Sequence, residues 1–254
     1  MKRSILVILI ILLATPLSYS QLWKMRRWEA TLGAGPSFFF GDVGGYTIGK
    51  NILGFKDMSY LQTRFDVNGS VKYRFTRNLN ARVSMTYAMF HATDVRGSNE
   101  GRELEATTSL FEPAIIGEYY FVKNYSENSY LFLRRKEAFI WHFLKSLDFY
   151  AFAGIGGALY NVKCNEALIE LQEDPARDLK DGGFTAVVPA GLGTTLIYSP
   201  NLNFGLEVGG RYAFTDFLDG YTSQFSKAND VYYFLNLTIT YKLKTGRNGL
   251  PRFR

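Results

Sequence analysis

Two histidines and one cysteine set a low ceiling on the chemistry this chain can perform. His91 and His142 stand far apart, and Cys164 is alone, so nothing has the spacing of a metal centre. No glycine-rich run has the form of a phosphate loop, and no serine sits in a nucleophile motif. His91 with Glu105 or Asp216 would supply the base and acid of a lipid-modifying enzyme, but no spacing joins them to a serine. Asp216, Asp219 and Asp230 offer oxygens to a cation, yet their spacing is not that of an EF-hand. The other notable charges are Lys72, Arg74, Arg82, Glu112, Glu118, Glu207 and Arg211. Each lies on the polar face of an alternating stretch, which predicts a paired network filling an interior rather than a catalytic set. No catalytic residue, metal ligand or cofactor site is assigned, and the chain is read as no enzyme. No nucleic-acid partner and no small-molecule substrate is expected.

The elements that carry these charges alternate strictly. In Val231 to Leu243 the odd positions are Val, Tyr, Leu, Leu, Ile, Tyr and Leu, while Asn236, Thr238, Thr240 and Lys242 fall on even ones. A period of two held over about ten residues is long enough to cross a bilayer as a tilted strand. The even positions of Trp28 to Phe40 form another apolar face. In the stretch from Asp66 to Phe75, Val67, Val71, Tyr73 and Phe75 oppose Asp66, Asn68, Ser70, Lys72 and Arg74. A face with a carboxylate and two cations costs a few kcal/mol at a bilayer midplane, so it must face a lumen or water.

Further strands are predicted at Ala81 to His91, Thr107 to Phe121, Asp148 to Asn161, Phe184 to Tyr198 and Asn203 to Phe214, eight in all. The fifth, with Ala153-Gly154-Ile155-Gly156-Gly157-Ala158, looks alike on both faces and leaves its register open. The predicted fold is all-β: an eight-stranded antiparallel transmembrane barrel with short periplasmic turns and long external loops. The tight turns at 76–80 and 199–203 alternate with long connections, as such barrels require. A barrel of this size has room for side chains and little else, so it is a poor pore.

Targeting agrees. Met1-Lys2-Arg3, an apolar run from Ile5 to Leu13 and Ser18-Tyr19-Ser20 before Gln21 read as a signal peptide over 1–20. Cleavage would leave 27 of the 29 Lys+Arg against 23 Asp+Glu. The 38 Tyr and Phe, in a chain with no apolar run long enough for a membrane helix, suit a barrel in the bacterial cell outer membrane. The barrel is expected over 21–243, with a basic periplasmic tail at 244–254.

One stretch, 122–147, breaks the alternation. It contains Arg134, Arg135, Lys136, Trp141 and Lys145, and reads either as a short amphipathic helix or as a loop packed under the barrel. With Lys24, Arg26 and Arg27 before the first strand and the tail after the last, these cations would make a basic periplasmic rim. Such a rim suits anionic headgroups or an acidic partner. The outer loop at 163–183 is acidic.

Three stretches carry a resemblance. They are Gly41-Asp42-Val43-Gly44, Pro189-x-Gly191-Leu192-Gly193, and Arg211 followed by Thr215-Asp216-Phe217-Leu218-Asp219. Together they resemble the PorG-like outer-membrane barrels of Bacteroidetes. That family shows a Gly-Asp-Leu-Gly after its first strand and an Arg-x-x-x-Thr-Asp-Tyr-Leu-Asp-Asp-Val-Ser signature. Here Phe217 stands for Tyr, and Gly220-Tyr221-Thr222 for Asp-Val-Ser. The resemblance implies a part in the type IX secretion system, beside a periplasmic ring of proteins resembling PorK and PorN. The rival expectation is an OmpA-like structural barrel whose external loops bind surface or host ligands.

Overall fold

The computed structural model describes residues 26–44, 60–94, 100–124, 143–144, 146–170, 177–179, 181–223, 229–246 and 248–252. The expected signal peptide lies outside these residues, as do Arg134, Arg135, Lys136, Trp141 and Lys145.

The strands are β1 (Trp28–Phe40), β2 (Arg64–Arg74), β3 (Leu79–Thr93), β4 (Glu105–Val122), β5 (Leu147–Cys164), β6 (Arg177–Leu179), β7 (Gly182–Ile197), β8 (Leu202–Ala213), β9 (Tyr221–Ser223), β10 (Val231–Thr245) and β11 (Pro251–Arg252). Each wall strand pairs antiparallel with its neighbour in the order β1-β2-β3-β4-β5-β7-β8-β10, and β10 pairs back onto β1. That last pairing closes an eight-stranded barrel; Leu32 lies opposite Ile239 on one side and Gly69 on the other. Closure leaves no unpaired edge, which a lipid-embedded sheet requires.

Side chains alternate as the period of two demands. Leu32, Val71, Met85, Ile115, Ile155, Leu192 and Leu237 point outward and are exposed. Aromatic residues gather at both ends of this apolar band. Trp28 meets Tyr73 edge-on at 5.0 Å near one end, and Phe40 meets Tyr233 at 5.6 Å near the other. Two such girdles mark the two interfaces of a membrane. The tight turns after β2 and β7 lie at the end holding Trp28, so that end is the periplasmic one.

The structure settles the fifth strand. Tyr150, Phe152, Ala158, Tyr160 and Val162 of β5 point inward, and Ile155 and Leu159 point out. The strands also run a few residues past several predicted ends. β10 continues through Lys244 and Thr245, and the chain then turns back so that Pro251 pairs with Thr245. The described parts of the acidic loop after β5 carry regular structure, which was not expected. Asn165 accepts the Leu168 N–H at 3.0 Å and so starts the short helix α1 (Glu166–Glu170). Leu168 is fully buried. β6 and β9 pair as a separate two-stranded ribbon.

Candidate functional site

The interior has two halves. In the periplasmic half it is a charged lattice. Arg82 grips Glu207 through both terminal nitrogens, at 2.6 and 2.7 Å, and its Nη1 lies 3.2 Å from Glu118. Such a fork is the strongest geometry an ion pair offers. Tyr150 donates to the same Glu207 at 2.9 Å. Lys72 lies 2.8 Å from Glu118, and Arg74 2.6 Å from Glu29. Lys123 reaches Asp148 at 2.5 Å. Higher up, Tyr232 donates to Glu112 at 2.5 Å and Arg211 lies 3.5 Å from the same carboxylate. All these groups are buried, where an unpaired charge costs several kcal/mol.

The seven charged residues marked by alternation all point into the lumen; Lys72, Arg82, Glu112, Glu118, Glu207 and Arg211 pair among themselves, and Arg74 meets Glu29. Sequence reading passed over Glu29, the partner of Arg74, and the separate Lys123–Asp148 pair. The signal was present for Glu29, which shares the inward parity of Thr31 on β1. It was weak for Lys123, which lies just past the end of β4.

The outer half is largely apolar. Phe39, Phe90, Tyr232 and Phe234 pack together, with Phe90 5.6 Å from Phe39 and 5.0 Å from Tyr232. Leu110, Tyr160, Val162 and Val187 extend this cluster, and Val43, Leu104, Leu168, Leu218 and Tyr221 cover it from the loops. It is a hydrophobic core of the kind that closes a soluble domain, set inside the mouth of a barrel.

The covering loops are tied by carboxylates. Asp219 accepts the Val43 N–H at 2.9 Å and the Tyr221 N–H at 3.1 Å. Asp230 accepts the Leu218 N–H at 2.8 Å, and Thr108 donates to the Leu218 carbonyl at 2.5 Å. Asp94 accepts the Gly44 N–H at 2.7 Å and is itself held by Arg102 at 2.9 Å. Thr222 donates to Asp216 at 2.6 Å. Gly220 adopts a φ of 75°, which a side chain there would strain, and so turns Tyr221 down into the core. Burial pushes the Asp219 carboxyl up to about 7, and nearby Asp42 and Asp216 add to it against its two backbone donors. Asp42 is pushed up to about 6, first by burial, then by Asp216, with Arg102 opposing. Asp230 is pushed well above the ordinary range by burial and by Asp219.

The geometry decides the class. This chain is an outer-membrane β-barrel. It has an apolar exterior between two aromatic girdles, a polar lattice inside, and a closed wall. No family model matches the chain, and no curated protein matches it. Among solved structures it is similar to Neisserial surface protein A, 12% identical, covering 85% of this chain and 96% of that one, with a TM-score of 0.47. A major outer membrane protein from Thermus thermophilus is 13% identical over 84% and 98%, TM-score 0.44. Ail, the attachment invasion locus protein of Yersinia pestis, is 13% identical over 85% and 97%, TM-score 0.38. The assignment of fold rests on the pairing of β1 with β10 and on what the two faces of the wall present.

His91 meets Glu105 at 3.2 Å through Nε2 and Thr107 at 3.1 Å through Nδ1. Asp216 is instead engaged by Thr222. Cys164 is half-buried and free at the outer end of β5, packed against the apolar cluster. Among the described residues no group of three or more acidic, histidine or cysteine side chains is arranged to hold a metal ion.

Proposed function

We propose that this barrel is a non-enzymatic component of the type IX protein secretion machinery, anchoring a periplasmic ring resembling that of PorK and PorN. The observation that carries the reading is the filled interior. A lumen occupied by the Arg82–Glu207–Glu118 lattice below and an aromatic core above leaves no route for diffusion through the described interior. What such a barrel offers is a rigid fixture in the membrane. Two stretches that carry the family resemblance, Gly41 to Gly44 and Thr215 to Asp219, fold against each other at the outer mouth, so they act as one unit. At the periplasmic end Arg26, Arg27, Arg77 and Lys244 supply positive charge, and by sequence the connection between β4 and β5, with Arg134, Arg135, Lys136, Trp141 and Lys145, belongs to the same side. That end is the docking face, and an acidic surface of the ring is its partner.

A mild-detergent pull-down of the tagged barrel from its own outer membrane, read by mass spectrometry, tests this. Stoichiometric recovery of a periplasmic lipoprotein ring component is expected. Reversing the charges of Arg134, Arg135 and Lys136 should then reduce that recovery while the barrel stays folded. Recovery of the intact barrel alone would favour the second reading, an OmpA-like structural barrel that binds ligands through its external loops. The ordered outer cap, with its carboxylate ties, is the observation that favours it.

A further inference from the structure

A groove of about 830 Å³ is cut into the outward face of β10, β1, β2 and β3. It runs diagonally across the strands. On one row it passes over Gly69, between Leu32 and Met85; on the next row toward the periplasm it passes over Ala30, between Tyr241 and Val71. Leu32 and Met85 stand two strand spacings apart, about 10 Å, and only Gly69 lies between them. Close packing does not require that glycine. A Cβ built on it would meet a single atom, the Leu32 Cδ2, at an ordinary contact of 3.7 Å. Glycine weakens the interior of a strand. The space it leaves here opens onto the bilayer, where something outside the chain must fill it.

The lower end of the groove points at a cation. The next outward row holds Trp28 and Tyr73, the aromatic pair at the periplasmic interface. The Arg27 Nη1 donates to the Tyr73 hydroxyl at 3.0 Å. A guanidinium carries five N–H donors and can give two of them to one phosphate. The segments that meet at this rim, 26–28, 69–81 and 239–254, contain Arg26, Arg27, Arg77 and Lys244 and no Asp or Glu. From Gly69 to Tyr73 the strand spans about 13 Å, or about 10 Å of depth at a tilt of about 40°. Half of the hydrocarbon core is about 15 Å deep. The groove and the arginine thus lie at the depths of one lipid's acyl chain and of its headgroup.

We propose that this groove holds one phospholipid of the periplasmic leaflet, with an acyl chain over Gly69 and Ala30 and its phosphate at Arg27. The charge of the rim selects this occupant over a second copy of the barrel. Two barrels inserted in the same sense pair about an axis along the membrane normal, so like ends meet. Each Arg27 would then approach its own copy, with no carboxylate from these segments between them. The lipid site needs only a barrel in its membrane, and it stands or falls apart from the ring.

Native mass spectrometry of the full barrel, purified in mild detergent and mixed with phosphatidylglycerol, tests this. One firmly retained phosphatidylglycerol per barrel is expected. Gly69→Phe plugs the groove and Arg27→Gln removes the charge, and each is expected to weaken retention about tenfold. Ile155→Phe adds a ring to the outward face of β5, across the barrel, and should leave retention unchanged. Arg27 precedes β1, so its variant carries the test if Gly69→Phe does not fold. Retention at the unaltered level in either folded variant would overturn the proposal and leave the lipid as general coating. A lipid-free dimer that Gly69→Phe breaks would give the groove to a second copy and overturn it too.

Discussion

The Asp219 carboxylate accepts a hydrogen bond from the Val43 backbone N–H at 2.9 Å, across 176 residues of chain. Its other oxygen holds the Tyr221 N–H. One side chain thus fastens the loop after β1 to the loop after β8, over the aromatic core in the barrel mouth.

Replacing that side chain should free the cap without unfolding the wall. Asp219→Ala leaves two buried N–H groups without an acceptor, at a cost of about 1–3 kcal/mol each. Faster protease cleavage in the outer loops of intact cells is expected, with the heat-modified gel shift of the barrel unchanged. Asp219→Asn keeps an acceptor oxygen and should fall between. Cleavage at the wild-type rate in the alanine variant would show that the tie does not hold the cap.

The cap should also respond to pH. Burial pushes Asp219 up to about 7 and Asp42 to about 6, against an ordinary value of 3.8, and raises Asp230 well above that value. Between about pH 4 and 7 the folded cap binds protons that the opened loops release, so its stability falls as pH rises through that window. The stabilisation is greatest at the acid end and is lost above the folded values. Hydrogen exchange at Val43 and Tyr221, corrected for intrinsic rates, should show stronger protection at pH 5 than at pH 8. The reverse order would mean that these carboxyls are charged in the closed cap.

The Arg82–Glu207 fork should be a keystone of the inner lattice. Arg82→Met leaves Glu207 and Glu118 facing each other in a buried site, at a cost of about 3–5 kcal/mol. Pairing it with Glu207→Leu removes the stranded charge and should regain much of that loss. Urea unfolding in detergent measures both. A double variant as weak as the single one would show that packing around Phe152, on which Arg82 stacks at 5.0 Å, matters more than charge.

Leu237 is 69% exposed on the lipid side of β10, while its neighbour Thr238 is buried inside. Leu237→Arg should cost about 2–4 kcal/mol, the range for a cation near the bilayer midplane. Reduced assembly is expected as a loss of the folded band on unheated gels, with Leu237→Phe tolerated. Normal folding of the arginine variant would move this face out of the membrane core.

The sequence by itself determined the class of fold and the inward or outward sense of nearly every strand residue. Alternation is local: in an extended chain each side chain opposes the next, so Val231 to Leu243 declares its two faces without knowing its neighbours. β5 was the exception, because its alanines and glycines offer no contrast between faces. The tertiary structure alone decided what lies across the lumen from what. Parity marks Arg82 and Glu207 as polar-face residues, but their meeting depends on how far the closed sheet is sheared, which no single strand records. The same holds for the cap. Nothing near Asp219 in the chain points to Val43, because that contact exists only once eight strands have brought two distant loops to the same rim.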